Sequence, residues 1–204
     1  MAINISLSQF IDFTTKQSMV SKIKKVDQIK NQHEHSFYYW KDFREAVKEY
    51  CLKQDKTVFN NLLSNINPKK YNTYFNAVNS FQKMLKGKNV QWIEPPTFTW
   101  CYNNELIVSA TPDLGLIING KNYLIRTFYN EDSSTINKRN IIPSLTLLNN
   151  SIVNEKTSPD TIIGLFNLNT SRFYPIDNEV LYENIPLKYE ALLLVNIWNA
   201  SLKK

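Results

Sequence analysis

Glycine is scarce in this chain, with 4 in 204 residues, and the four are scattered, so no phosphate-cradling glycine loop can be assembled. No Gly-x-Ser-x-Gly elbow for a serine nucleophile occurs either. Cysteine is scarcer still: Cys51 and Cys101 lie far apart, which excludes a disulfide framework, and both read as buried small apolar residues. No stretch approaches the roughly 18 uncharged apolar residues of a membrane helix. Asp12 and Lys16 interrupt the N-terminal segment where a secretory signal needs an unbroken apolar run, so a cytoplasmic protein without membrane contact is expected. Histidine offers little: His33-Glu34-His35 supplies two imidazoles at most with no third ligand nearby, and a polar interhelix loop is the simpler account.

What is present is apolar and aromatic. With 43% apolar and 13% aromatic residues the chain has enough material for the core of one globular domain. The net charge of +6 is uneven: residues 1–90 hold 15 Lys/Arg against 7 Asp/Glu, the remainder 9 against 11. Excess positive charge confined to one half suits a polyanion such as nucleic acid or an acidic partner protein; the alternative is a solvated lysine-rich surface. The candidates for phosphate contact are Lys22, Lys24, Lys25 and Lys30, with Lys69, Lys70, Lys83, Lys86 and Lys88 further on. The motifs of dedicated DNA readers are absent. Tyr38 and Tyr39 fall off their apolar stripe and either stack on bases or pack under neighbouring helices.

The first half reads as helical. Ser6 or Ser8 caps a short helix carrying Phe10, Ile11 and Phe13, and a second holds Met19, Val20, Ile23, Val26 and Ile29. A third covers roughly 37–53, and Val58, Phe59, Leu62, Leu63 and Ile66 mark a fourth ended before Pro68. From Pro68 one stripe of Tyr71, Tyr74, Phe75, Val78, Phe81 and Leu85 runs up to Gly87. The second half changes period. Residues 97–102, 106–118 and 123–129 read as a three-stranded meander, then a helix capped by Ser133 or Ser134, with Pro143 a kink or a sign of a later start. Residues 161–168 make an apolar strand, 172–175 a short partner for it, and 186–202 a last helix, a candidate docking surface for a protein partner. The expected class is α/β: a helical N-terminal part, 1–67, packed on a core, 68–204, of order αβββαβ with a mixed sheet covered by helices on both faces.

Asn119-Gly120 is a strong hairpin signal, the two-residue loop whose positive φ angles suit a type I′ turn. Its register pairs Ile118 with Lys121, Leu116 with Tyr123 and Leu114 with Ile125, and so sets Asp113 beside Arg126 as an ion pair. Pro112-Asp113 on one strand, a charged residue opposite it on the next and the αβββαβ order together resemble the PD-(D/E)XK superfamily of restriction-endonuclease-like proteins, over residues 68–168. The resemblance implies a magnesium ligand at Asp113, a second at the position held by Arg126, and a lysine where Phe128 stands. Two of the three roles are lost, because a guanidinium cannot ligate a cation and neutralises the aspartate instead. The resemblance therefore implies a metal-free, catalytically degenerate nuclease fold that binds nucleic acid or a partner, and by fold analogy belongs to a bacterial defence or DNA-processing system. The alternatives are an active magnesium nuclease with displaced residues, Asp113 with Glu105, Glu131 or Asp132 and Lys138 or Arg139, and a pure interaction module.

Overall fold

The computed structural model describes residues 2–31, 39–129, 136, 138–152, 158, 160–176 and 184–200, and at 138, 139 and 152 the backbone alone. In chain order its elements are β1 (Ile3–Ser6), α1 (Leu7–Thr14), α2 (Met19–Asn31), α3 (Lys41–Lys53), α4 (Thr57–Asn65), a 3-10 turn (Pro68–Lys70) and α5 (Tyr71–Leu85). Next come β2 (Val90–Ile93), β3 (Thr99–Tyr102), β4 (Leu106–Ser109), β5 (Leu114–Ile118), β6 (Lys121–Phe128), α6 (Lys138–Ile152), β7 (Ile162–Asn167), β8 (Arg172–Pro175) and α7 (Asn184–Ala200). The protein is thus mixed α/β, with seven α-helices among the described residues. His33, Glu34, His35, Tyr38, Glu131, Asp132, Ser133 and Ser134 lie outside them.

Local chemistry accounts for the boundaries that matter. Ser6 caps α1 through a reciprocal box: its hydroxyl accepts from the Gln9 N–H at 3.2 Å, and Gln9 Oε1 accepts from the Ser6 N–H at 2.8 Å. That frees Ser8 for another task. Asn119 and Gly120 sit at φ 49° and 80°, and the β5–β6 ladder runs in the expected register from Ile118 opposite Lys121 to Leu114 opposite Ile125. Pro143 lies inside α6 and does not end it.

Three sequence expectations are corrected. The chain begins as a strand: β1 pairs in parallel with β4, Ile3 opposite Leu106 and Ile5 opposite Val108, so the first part is not wholly helical. Residues 106–118 do not form one strand. Pro112 donates no ladder hydrogen bond, and at residues 110–113 the chain leaves β4 and enters β5 in a different sheet. The meander is consequently divided. β3 and β4 join β1 in a three-stranded sheet, while β5 takes β2, a strand not among the sequence expectations, as its antiparallel neighbour. The larger sheet has the order β2-β5-β6-β7-β8, with β6 and β7 parallel across the α6 crossover and the other neighbours antiparallel.

Both faces of this five-stranded sheet are covered. On one face Leu114, Leu116, Ile118, Ile125 and Phe166 pack with Phe43, Val47, Phe59, Tyr74, Val78 and Phe81 of α3, α4 and α5. On the other Leu124, Phe128 and Leu165 pack with α1, α2, α6, α7 and the small sheet. The cores interleave chain segments, since α1 and α2 pack with the C-terminal helices while α3 to α5 sit across the sheet. Two positions allow no side chain: a Cβ on Gly115 would stand 2.3 Å from the Ile93 carbonyl oxygen, and one on Gly164 2.4 Å from that of Tyr174.

Candidate functional site

The turn before β5 brings Asp113 to the end of the large sheet. Its backbone N–H donates to the Ile125 carbonyl at 3.0 Å, extending the hairpin ladder by one bond beyond Leu114 and fixing the carboxylate beside β6. Asp113 lies at the entry to β5, just after the break at Pro112, and its side chain is 6% exposed.

Every acceptor position of that carboxylate is in use. Oδ1 accepts from Arg126 Nη1 at 3.1 Å and from Arg44 Nη1 at 3.5 Å. Oδ2 accepts from the Thr127 N–H at 2.9 Å and the Thr127 hydroxyl at 2.7 Å. An ionised carboxylate offers about four lone-pair sites, and these four donors fill them. The guanidinium of Arg126 is held from other sides too, Nη1 donating to the Thr111 carbonyl at 3.0 Å and Nη2 to the Ser8 hydroxyl at 2.9 Å. Its Nε is buried without an acceptor. Ser8 comes from α1 and Arg44 from α3, helices on opposite faces of the sheet, so the cluster pins both layers to one sheet end.

A divalent cation does not fit this donor set. One carboxylate stands between two guanidinium groups, three charges that sum to +1, and among the described residues no cluster of acidic side chains joins them. Phe128, where the sequence resemblance would place a lysine, is buried in the core with its ring centroid 6.5 Å from that of Tyr174. Glu105 sits in the β3–β4 turn, at the opposite end of β4 from the segment leading to Asp113, and its side chain is exposed. Glu131 and Asp132 are outside the described residues, as are the side chains of Lys138 and Arg139. Among the described residues no group of three or more His, Cys, Asp or Glu is placed to hold a metal.

The structure sorts the candidate lysines. Lys22 is buried, pairs with Glu190 of α7 and lies 4.7 Å over the Phe13 ring. Lys25 pairs with Asp12 of α1 at 2.8 Å, and Lys30 donates to the Trp198 carbonyl at 2.6 Å. These three fasten α2 to α1 and α7. Lys24 and Lys69 are exposed, and Lys70 is held 4.6 Å over the ring of Tyr39, which itself packs against Trp40 and Tyr74. Cys51 is buried as expected, whereas Cys101 is exposed on β3. On α7, Ile185, Tyr189 and Leu192 face outward, 82%, 61% and 45% exposed. No helix of the described residues is long and apolar enough to cross a membrane.

Sequence reasoning found Asp113 and Arg126 but missed Arg44, Ser8 and Thr127. Arg44 did leave a trace: it stands four residues after Trp40 and three before Val47, a cation inside the buried stripe of α3. No protein-family model matches the chain, and no curated protein matches it.

Proposed function

We propose that this chain is a nuclease-fold protein of the PD-(D/E)XK type whose metal site has become an internal ion-pair cluster, and that it binds nucleic acid in the cytoplasm without cleaving it. The observation that carries this reading is the Asp113 carboxylate, whose acceptor positions are taken by Arg126, Arg44 and Thr127. Two features support the fold assignment. The elements α5, β2, β5, β6, α6 and β7 run in the αβββαβ order, with the β3–β4 hairpin inserted after the first strand, and Pro112-Asp113 enters the second. The excess of lysine in residues 1–90 supports the nucleic-acid partner. A role in bacterial defence or DNA processing belongs to the same proposal by fold analogy.

A plasmid-nicking assay in magnesium and in manganese, run beside a gel-shift titration at low salt, tests it. Binding without nicking is the expected outcome. Metal-dependent nicking abolished by Asp113→Ala would overturn it in favour of displaced ligands. A second reading, a protein-interaction module, is favoured by the outward Ile185, Tyr189 and Leu192 on α7, and would gain if neither duplex nor single strand shifts.

A further inference from the structure

The apolar stripe of α5 is wider than the core it serves. Tyr74, Ala77, Val78, Phe81 and Leu85 are buried, but Tyr71 and Phe75, one turn apart, remain 42% and 43% exposed. Their rings lie nearly parallel, with centroids 6.0 Å apart and 15° between planes. The rest of the exposed arc is amide and lysine: Asn72, Asn76, Asn79, Gln82, Lys83 and Lys86. Lys69 is exposed in the 3-10 turn that leads into the helix. No Asp or Glu occurs anywhere in residues 56–93, a span that contains Lys56, Lys69, Lys70, Lys83, Lys86 and Lys88.

We infer that this face of α5 is a platform for single-stranded nucleic acid, with unpaired bases stacking on Tyr71 and Phe75 and the phosphates running along Lys69, Lys83 and Lys86. The inference rests on the nucleic-acid reading above and gives it a location and a substrate class. The charge complements a polyanion, since the segment carries several cations and no anion to repel the backbone. The aromatics select the strand state. In a duplex the base faces are covered by their neighbours, whereas an unpaired base presents a π-face to any accessible ring. Amide side chains between the rings and the lysines supply donors and acceptors for base edges without a fixed sequence preference. The platform from Tyr71 to Lys86 is about 22 Å long, room for several nucleotides. The α2 lysines are not needed, because Lys22 and Lys25 are spent on Glu190 and Asp12.

The test is fluorescence anisotropy of a labelled fifteen-nucleotide oligothymidine and of a duplex of the same length, each titrated with the full chain across a salt series. The single strand should bind more tightly than the duplex. Tyr71→Ala with Phe75→Ala should weaken it about ten-fold or more while unfolding and circular dichroism stay as in the wild type, because both rings are at the surface. Tyr71→Phe should retain binding. Lys69→Ala, Lys83→Ala and Lys86→Ala together should flatten the slope of log affinity against log salt by about two, at roughly 0.7 per phosphate contact. Tight binding that survives the double alanine change, or prefers the duplex, overturns the platform and leaves the nucleic-acid reading standing. Binding of neither oligonucleotide at low salt overturns both.

Discussion

Replacing Asp113 with alanine removes the anion on which two layers of the protein converge. The loss strands Arg126, whose side chain is 12% exposed, with the Thr111 carbonyl and the Ser8 hydroxyl but no counter-charge. The Thr127 N–H and hydroxyl lose their acceptor at a residue that is 6% exposed. Breaking one side of a buried ion pair costs about 3–5 kcal/mol, and a stranded buried donor about 1–3 kcal/mol; the two describe overlapping effects, so about 4 kcal/mol is the expected sum. In urea, with a slope of about 2–3 kcal/mol/M for a chain this long, the midpoint should fall by about 1.3–2 M at unchanged slope. Arg126→Ala should cost less, about 2 kcal/mol, because the carboxylate keeps Thr127 and Arg44. A midpoint shift below about 0.4 M for Asp113→Ala, or a larger loss for Arg126→Ala than for Asp113→Ala, would refute the reasoning.

Perturbations elsewhere in the molecule probe the other contacts that hold it. Lys22→Ala leaves Glu190, 17% exposed, without its cation and should lower stability by about 3 kcal/mol, whereas Lys22→Met with Glu190→Leu should recover most of the loss; thermal melts of the pair decide it, and equal losses would count against a structural ion pair. Gly164→Ala drives a Cβ into the Tyr174 carbonyl and should lower the melting temperature by about 5–10 °C through displacement of β8, an unchanged melt being the contrary result. Burial pushes the Cys51 thiol up to about 12, so at pH 8 only about one molecule in ten thousand carries its thiolate, while Cys101 is exposed. A chromogenic disulfide reagent should therefore titrate one thiol in the folded protein and a second after denaturation; two fast equivalents would contradict the packing of α3.

Part of this molecule was legible because its causes are local. Asn119-Gly120 imposes a turn by its own backbone preferences, and a period of two then carries the register outward to Asp113 and Arg126 without reference to anything distant. The same holds for Ser6 and Gln9 at the start of α1, where donors and acceptors lie three residues apart. β1 and β2 were not legible, because the existence of each depends on a partner far along the chain, Leu106 for Ile3 and Ile118 for Val90, with no hairpin turn beside it to announce the pairing.

Burial was decided by tertiary contacts. By sequence alone Lys22 and Lys24 are equivalent, yet Glu190 on α7 draws the first inward and leaves the second in water. By sequence alone Tyr71 and Tyr74 share a stripe, yet the core covers Tyr74 and leaves Tyr71 outside. The sequence by itself determined the hairpin and its pairing of an acid, Asp113, with a base, Arg126. The tertiary structure decided that Arg44, Ser8 and Thr127 complete the cluster, because they come from α3, α1 and β6 and meet only where the sheet brings its two covering layers to one end. Charge and hydrogen-bond geometry act over a few ångströms of space, and separation along the chain carries no record of that distance.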